Sequence, residues 1–197
     1  WSSDVCSSDL IDVATGHELF TYVPAAVLGK VPGLSSTSYT HTYSVDGEIA
    51  VSSTFETPGQ NILVGTLGRG GNALYALDVT SPSTFSASKV MWEFTDSDLG
   101  MALGKPVIVK LNNGRAAVML GNGYNSGNER AVLFLIDLLN GTLIRKIDTQ
   151  AGSASATNGM ATPRGWDLDG NGTVDVVWAG DLLGNVWRFD LSSTNPS

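Results

Sequence analysis

A repeated unit limits what this chain can fold into. Four segments each run from a hydrophobic stretch to an aspartate and then into a turn, with the aspartates at Asp12, Asp78, Asp137 and Asp190. Three of them follow a second hydrophobic stretch that ends in glycine (NILVGTLG, RAAVMLGNG and VDVVWAGD). The aspartates are 66, 59 and 53 residues apart, longer than the roughly 40–50 residues of common propeller repeats. Each unit is therefore expected to be one four-stranded blade with loop insertions.

The hydrophobic stretches read as β-strands. They are rich in Val, Ile, Leu and aromatic residues and are bounded by Gly, Asn, Asp and Pro. Asn113-Gly114 and Asn140-Gly141 lie between such stretches, which is typical of tight hairpin turns. Only the segment after Pro24 favours a helix, and Gly29 is expected to end it early. We predict an all-β chain that forms a partial β-propeller, with a β-sandwich as the alternative.

The first ten residues, WSSDVCSSDL, are treated separately. Their half-repeated SSD pattern matches neither helical nor strand periodicity and resembles the translation of a sequencing adapter. We predict that residues 1–10 are a scar, that 11–192 form about three blades of a propeller, and that 193–197 are a tail. Because a ring needs roughly four to eight blades, the chain is expected to be a fragment that lacks its natural N-terminus.

Composition excludes several function classes. The chain carries 19 acidic and 11 basic residues, for a net charge of −8, which disfavours binding to nucleic acid. No apolar run approaches the roughly 20 residues of a membrane-spanning helix. The single cysteine lies within the first ten residues, so the remaining chain offers no disulfide, thiolate metal ligand or thiol nucleophile.

The motif with the clearest chemistry is DLDGNGTVD, at residues 167–175. Calcium prefers six to eight oxygen ligands, and a loop can supply them from alternate positions. Gly172 falls at loop position 6, where a sharp turn needs a residue without Cβ. The remaining pattern predicts a Ca²⁺ site whose ligands are Asp167, Asp169, Asn171, Thr173 (through its carbonyl) and Asp175.

The motif then departs from an EF-hand. Position 12 is Trp178 instead of glutamate, and the sequence after the loop reads as a strand instead of a helix. Without the bidentate glutamate, we expect a dissociation constant of about 10⁻⁵–10⁻³ M. The alternative is a turn whose side chains only bond their own backbone, which would leave three carboxylates close together without compensation.

The sequence contains few residues that could form a catalytic site. The only histidines are His17 and His41, Thr21 stands where a zinc-protease helix would need its second histidine, and no G-x-S-x-G motif occurs. We therefore predict that the domain is not an enzyme. Four tryptophans could line a sugar or quinone pocket but are expected to pack between blades instead: Trp92, Trp166, Trp178 and Trp187.

The order of these motifs resembles a known family. From Ile11 to Ser192, the succession of IDVATGHELFTYVP, HTYSVDG, NILVGTLGRGGNALYALDVT, LGKPVIVKLNNG, GNGYNSG, LIRKIDT and DLDGNGTVDVVWAGDLLGNVWRFDLS is similar to the C-terminal propeller of PilY-type type IV pilus biogenesis and tip adhesin proteins. The resemblance implies a modified seven-bladed propeller and a calcium loop that regulates pilus extension and retraction. It implies export through the periplasm and outer membrane to the pilus tip at the cell surface, with minor pilins as partners. Adhesion to a host or abiotic surface would use regions absent from this sequence.

Two other functions remain open. IDVATGHELF also resembles the blade-closing motif of calcium-dependent quinoprotein (pyrroloquinoline-quinone) dehydrogenases, although Phe20 replaces its final tryptophan and the vicinal cysteine pair is missing. That motif docks blades together, so it supports a quinoprotein-like fold without supporting oxidation. The third possibility is a surface propeller in which calcium is purely structural.

Overall fold

The computed structural model describes residues 7–195, which form four antiparallel sheets. A two-stranded hairpin comes first, with β1 (Ser8–Ile11) and β2 (Glu18–Tyr22). Blade 1 contains β3 (Ile49–Val51), β4 (Ile62–Thr66), β5 (Leu74–Asp78) and β6 (Val90–Phe94). Blade 2 contains β7 (Val107–Lys110), β8 (Ala116–Gly121), β9 (Val132–Asp137) and β10 (Leu143–Asp148). Blade 3 contains β11 (Arg164–Trp166), β12 (Val176–Gly180) and β13 (Val186–Asp190).

Each strand pairs with the strand that follows it in the sequence of its sheet. Such four-stranded meanders, stacked one after another, are the blades of a β-propeller. The predicted all-β partial propeller is confirmed. The β-sandwich alternative is wrong, because the strands form successive small sheets instead of two facing ones.

The repeated aspartates make the same turn in every sheet. Oδ1 of Asp12, Asp78 and Asp190 accepts a hydrogen bond from the backbone N–H two residues later, at 2.8, 3.0 and 3.0 Å. Asp137 makes the equivalent bond to the N–H of Leu139 at 2.9 Å. In blades 1 and 2 this turn joins the third strand to the fourth, so the hairpin corresponds to the last two strands of a blade.

Alternate residues of each strand face opposite neighbours. Blades 1 and 2 share one buried cluster, which includes Val64, Trp92 and Phe134. The other face of blade 2 packs on blade 3, where Met119, Leu135 and other residues contact the side chains of β12 and β13. The hairpin and the loop after it cover the outer face of blade 1.

The tryptophans only partly follow their prediction. Trp92 is buried, and its Nε1 donates to the carbonyl of Leu138 in blade 2 at 2.9 Å, as interblade packing requires. Trp187 is half-buried against the cluster between blades 2 and 3. Trp166 and Trp178 are 64% and 46% exposed, so they do not pack between blades among the described residues. They lie on the face of blade 3 that points away from blade 2.

Two local expectations also need correction. Ser8–Leu10 pair with Phe20–Tyr22, so the expectation that the segment before Ile11 has no strand character is wrong for these residues. Residues 1–6 and 196–197 lie outside the described part of the chain, and the assignment of 1–10 as a scar stays a prediction. The segment after Pro24 is a 3₁₀ helix, Ala25–Ser35, which continues past Gly29.

The other helical segments are short 3₁₀ turns: Gly68–Gly70, Pro82–Thr84 and Ala87–Lys89. Over residues 7–195, no helix has both the length and the apolar character needed to cross a membrane.

Candidate metal centre

The acidic loop at residues 167–175 joins β11 to β12 in blade 3. Each of Asp167, Asp169 and Asp175 places a carboxylate oxygen so that the three atoms lie within 4.8 Å of one another. A strand follows the loop directly, as the sequence predicted. The structure thus brings together all three carboxylates of the predicted site.

Asp167 fixes the backbone at the start of the loop. Its Oδ1 accepts the N–H of Gly170 and its Oδ2 accepts the N–H of Gly172, both at 2.7 Å. These hydrogen bonds, led by that of Gly172, hold the pKa of the Asp167 carboxyl below its usual range. Asp167 is therefore ionised at neutral pH, and the loop backbone curves so that the N–H groups of Gly170 and Gly172 point at its carboxylate.

The middle of the loop is held by Asn171. Its Oδ1 accepts the N–H of Thr173 at 2.7 Å. The single hydroxyl hydrogen of Thr173 is shared between Oδ1 of Asn171 and Oδ1 of Asn112. Nδ2 of Asn171 donates to Oδ2 of Asp169 at 2.9 Å. Asp169 and Asn171 are exposed, so their oxygens can turn toward an ion without disturbing the core.

Asp175 differs from the other two carboxylates because it is buried, with 6% of its surface exposed. Its Oδ2 accepts the N–H of Leu168 at 2.8 Å, which draws the two ends of the loop together. Its Oδ1 accepts Nδ2 of Asn112 at 3.0 Å, and Asn112 lies in the β7–β8 turn of blade 2. One predicted ligand is therefore attached to the neighbouring blade.

A residue of blade 1 also reaches the loop. The ring of Phe55, from the β3–β4 loop, occupies the space that a Cβ on Gly172 would need. The ammonium of Lys110 lies over the same ring, 4.9 Å from its centroid. The strand 1 to strand 2 loops of all three blades thus meet at this point.

The donor set suits a hard cation. The predicted ligands offer three carboxylates, one side-chain amide oxygen and one backbone carbonyl, and calcium binds oxygen ligands of these kinds. Trp178, at loop position 12, lies on β12 with its side chain exposed and offers no oxygen ligand. The residues therefore fit Ca²⁺ without the bidentate carboxylate of an EF-hand.

Sequence reasoning did not find Asn112 or Phe55. Asn112 precedes an Asn-Gly hairpin turn and looks like part of that turn, and Phe55 lies in a loop without repeat character. Their role depends on contacts across 63 and more than 100 residues of sequence. Contacts between residues so far apart cannot be predicted from short sequence patterns.

These features define a class: propeller proteins whose blades are antiparallel meanders and which carry an acidic loop between the first two strands of a blade. The chain belongs to the PilY1 β-propeller domain family, whose model matches residues 21–197. The resemblance in the sequence is thereby confirmed.

Curated relatives agree with this assignment. The type IV pilus biogenesis factor PilY1 homolog of Xylella fastidiosa is 45% identical over 193 residues, covering 92% of this chain and 13% of the relative. Type IV pilus biogenesis factor PilY1 of Pseudomonas aeruginosa strain UCBPP-PA14 is 46% identical over 187 residues, covering 91% and 16%. The chain therefore spans less than a fifth of these relatives.

A solved structure shows the same fold. The crystal structure of the Pseudomonas aeruginosa PilY1 C-terminal domain superimposes with a TM-score of 0.80 at 35% sequence identity. The match covers 96% of this chain and 38% of that one.

Proposed function

We propose that this chain is a calcium-binding, non-enzymatic part of a type IV pilus biogenesis protein, in which occupancy of the loop at residues 167–175 regulates pilus extension and retraction. The observation that carries the proposal is the convergence of three carboxylate oxygens within 4.8 Å in a chain of the PilY1 β-propeller family. The names of the relatives support the pilus role.

The loop geometry supports a role for each proposed ligand. Asp167, Asp169, Asn171 and Asp175 would hold the ion through side-chain oxygens, and Thr173 through its carbonyl. Bound calcium would supply positive charge that compensates the clustered carboxylates. Asp169 and Asn171 would then exchange their mutual hydrogen bond for coordination, which orders the exposed half of the loop and the start of β12.

The wider setting of the proposal concerns the whole protein. The partners would be minor pilins and the rest of the pilus assembly machinery, and the location would be the pilus tip at the cell surface, reached through the periplasm and outer membrane. Regions outside this sequence would contact a host or abiotic surface. Calcium would act as a switch between two states of the propeller, with no bond chemistry.

Calcium binding is tested by thermal unfolding of the 197-residue chain with chelator, calcium or magnesium. At about 1 mM calcium and a dissociation constant of about 10⁻⁵ M, binding adds roughly 2.7 kcal/mol to the free energy of unfolding. We expect a rise in Tm of about 5–10 °C with calcium and a smaller one with magnesium, which keeps its waters. The variant Asp169→Ala/Asp175→Ala should show no calcium shift.

The matched control is Glu18→Ala/Glu48→Ala, which removes two exposed carboxylates far from the loop in sequence. It should retain the full calcium shift. If the parent chain is folded and its Tm does not change when calcium is added, the loop is only a turn.

The regulatory part requires cells that carry the full-length protein. Asp175→Ala should change the balance of pilus extension and retraction, measured by twitching motility and by the amount of surface pilin. If this variant loses calcium binding while extension and retraction stay unchanged, calcium is structural and the switch is wrong.

A further inference from the structure

The two halves of the acidic loop are attached differently. The three entry ligands, Asp167, Asp169 and Asn171, make their side-chain hydrogen bonds within the loop itself. The exit residues Thr173 to Asp175 have such bonds as well, but they also bond to blade 2. Among the described hydrogen bonds, those from blade 2 therefore reach only the exit half of the loop.

Four hydrogen bonds make this attachment. The N–H of Val174 donates to the carbonyl of Lys110 at 2.9 Å. Asn112 Nδ2 donates to the Val174 carbonyl and to Oδ1 of Asp175, both at 3.0 Å. Finally, the Thr173 hydroxyl lies 2.9 Å from Oδ1 of Asn112, and its hydrogen is shared between this oxygen and Oδ1 of Asn171. Three of the four bonds involve one side chain, Asn112.

The hydrogen-bonding groups around the Asn112 side chain match those of an amide. Its Nδ2 faces three acceptors, because the Leu191 carbonyl lies 3.2 Å away in addition to Val174 and Asp175. Its Oδ1 faces the Thr173 hydroxyl, a donor. An amide supplies both donors and an acceptor, whereas a carboxylate has no donor and would repel Asp175. The amide orientation is thus fixed by its partners.

We infer that Asn112 is a positioning residue for the calcium site, which holds Thr173 and Asp175 in place and couples occupancy of the loop to blade 2. The inference rests on the proposed calcium site and adds the route by which that site acts. Ordering of the loop tightens the bonds at Asn112 and thereby stabilises the β7–β8 turn at residues 111–115. Calcium then affects the joint between two blades as well as one loop.

The first test measures calcium affinity of the 197-residue chain by calorimetry. Removing a residue that positions metal ligands typically weakens binding roughly 10- to 100-fold, and we expect a loss in that range for Asn112→Ala. The matched control is Asn113→Ala, because Asn113 is exposed and its Oδ1 accepts the N–H of Arg115 within its own turn. The control should bind calcium as the parent chain does.

The second test follows amide hydrogen exchange with and without calcium. In the parent chain, calcium should slow exchange in residues 167–175 and also in residues 107–116 of blade 2. In Asn112→Ala, the effect should be confined to the loop. If Asn112→Ala does not fold, Asn112→Leu serves instead, because it keeps the approximate volume of the side chain and removes its amide donors and acceptor.

The outcomes separate the two proposals. If the parent chain binds calcium and Asn112→Ala binds it as tightly, Asn112 has no positioning role. If protection in the parent chain stops at the loop, the coupling to blade 2 is wrong. In both cases the calcium site stands. If the parent shows neither calorimetric binding nor any change in exchange, the calcium site is wrong and the coupling falls with it.

Discussion

At the scale of single residues, Gly172 meets two separate demands. Its φ is 88°, in the left-handed region that favours glycine, and the Phe55 ring fills the space where a Cβ would lie. Gly170 meets only the first demand, because its φ is 77° and no atom lies within 4 Å of a Cβ built on it. Substituting each glycine in turn therefore distinguishes the free-energy cost of backbone strain from the cost of disturbing the contact with Phe55 of blade 1.

We predict that Gly170→Ala lowers the free energy of unfolding by about 1 kcal/mol through backbone strain. Gly172→Ala should lower it by about 1–3 kcal/mol, because displacement of the exposed Phe55 ring adds a small cost to the same strain. Urea unfolding in the presence of chelator measures both values. Phe55→Ala in the Gly172→Ala background should recover the difference, and equal losses for the two alanine variants would show that the Phe55 contact carries no energy.

At the scale of elements, the bond from Trp92 to Leu138 ties β6 of blade 1 to the end of β9 in blade 2. The indole N–H lies 2.9 Å from the carbonyl, and Trp92 is 8% exposed. Gly141, with a φ of 71°, lies so close to the indole that any side chain at this position would overlap it. A buried carbonyl without a donor costs about 1–3 kcal/mol.

We therefore expect Trp92→Phe to lower the free energy of unfolding by about 1–3 kcal/mol, measured by urea unfolding. Trp166→Phe is the matched control, since Trp166 is 64% exposed on blade 3 and should change stability by less than about 0.5 kcal/mol. Equal effects from the two substitutions would mean that the bond to Leu138 does not stabilise the joint.

The elements that could be predicted from the sequence are those whose structure depends on residues close together in the chain. Asp78, Asp137 and Asp190 cap the turns that follow their own strands, and each turn depends on a few neighbouring residues. The same holds for the loop at residues 167–175, whose entry ligands are bonded within nine residues of sequence. Strand content, turn positions and the three converging carboxylates were therefore accessible from the sequence.

Features that depend on distant partners were not accessible. Ser8–Leu10 form a strand because Phe20–Tyr22 supply the pairing edge, although their own sequence has no strand periodicity. The exposure of Trp178 and the contact of Asn112 with Asp175 depend on which blade face meets which neighbour. The spacing of the repeats predicts the order of the blades, but it does not predict which side chains of one blade contact the neighbouring blade.

At the scale of the whole molecule, the sheets stack so that each inner blade is covered on both faces. Blade 1 lies between the hairpin and blade 2, and blade 2 lies between blades 1 and 3. Within residues 7–195, blade 3 is covered only on the face toward blade 2. Its other face presents Trp166, Trp178 and Val186, which are 64%, 46% and 72% exposed.

This face predicts the behaviour of the isolated chain. A cluster of large apolar side chains at the surface of a domain favours association. In the described part of the chain, β13 also has no partner strand on its outer edge, which lies beside this face. We expect the 197-residue chain to self-associate with rising concentration, measured by light scattering coupled to size-exclusion chromatography. Trp178→Glu/Val186→Glu should keep it monomeric, because two charges would have to be desolvated in the contact.

The control is Val13→Glu, placed in the hairpin turn where the side chain is fully exposed. It adds a negative charge outside blade 3 and should leave self-association unchanged, which separates the effect of the face from that of net charge. If the double variant associates as strongly as the parent chain, contacts other than the open face of blade 3 hold the molecules together. If both variants become monomeric, added negative charge alone prevents association, and the apolar face has no specific role.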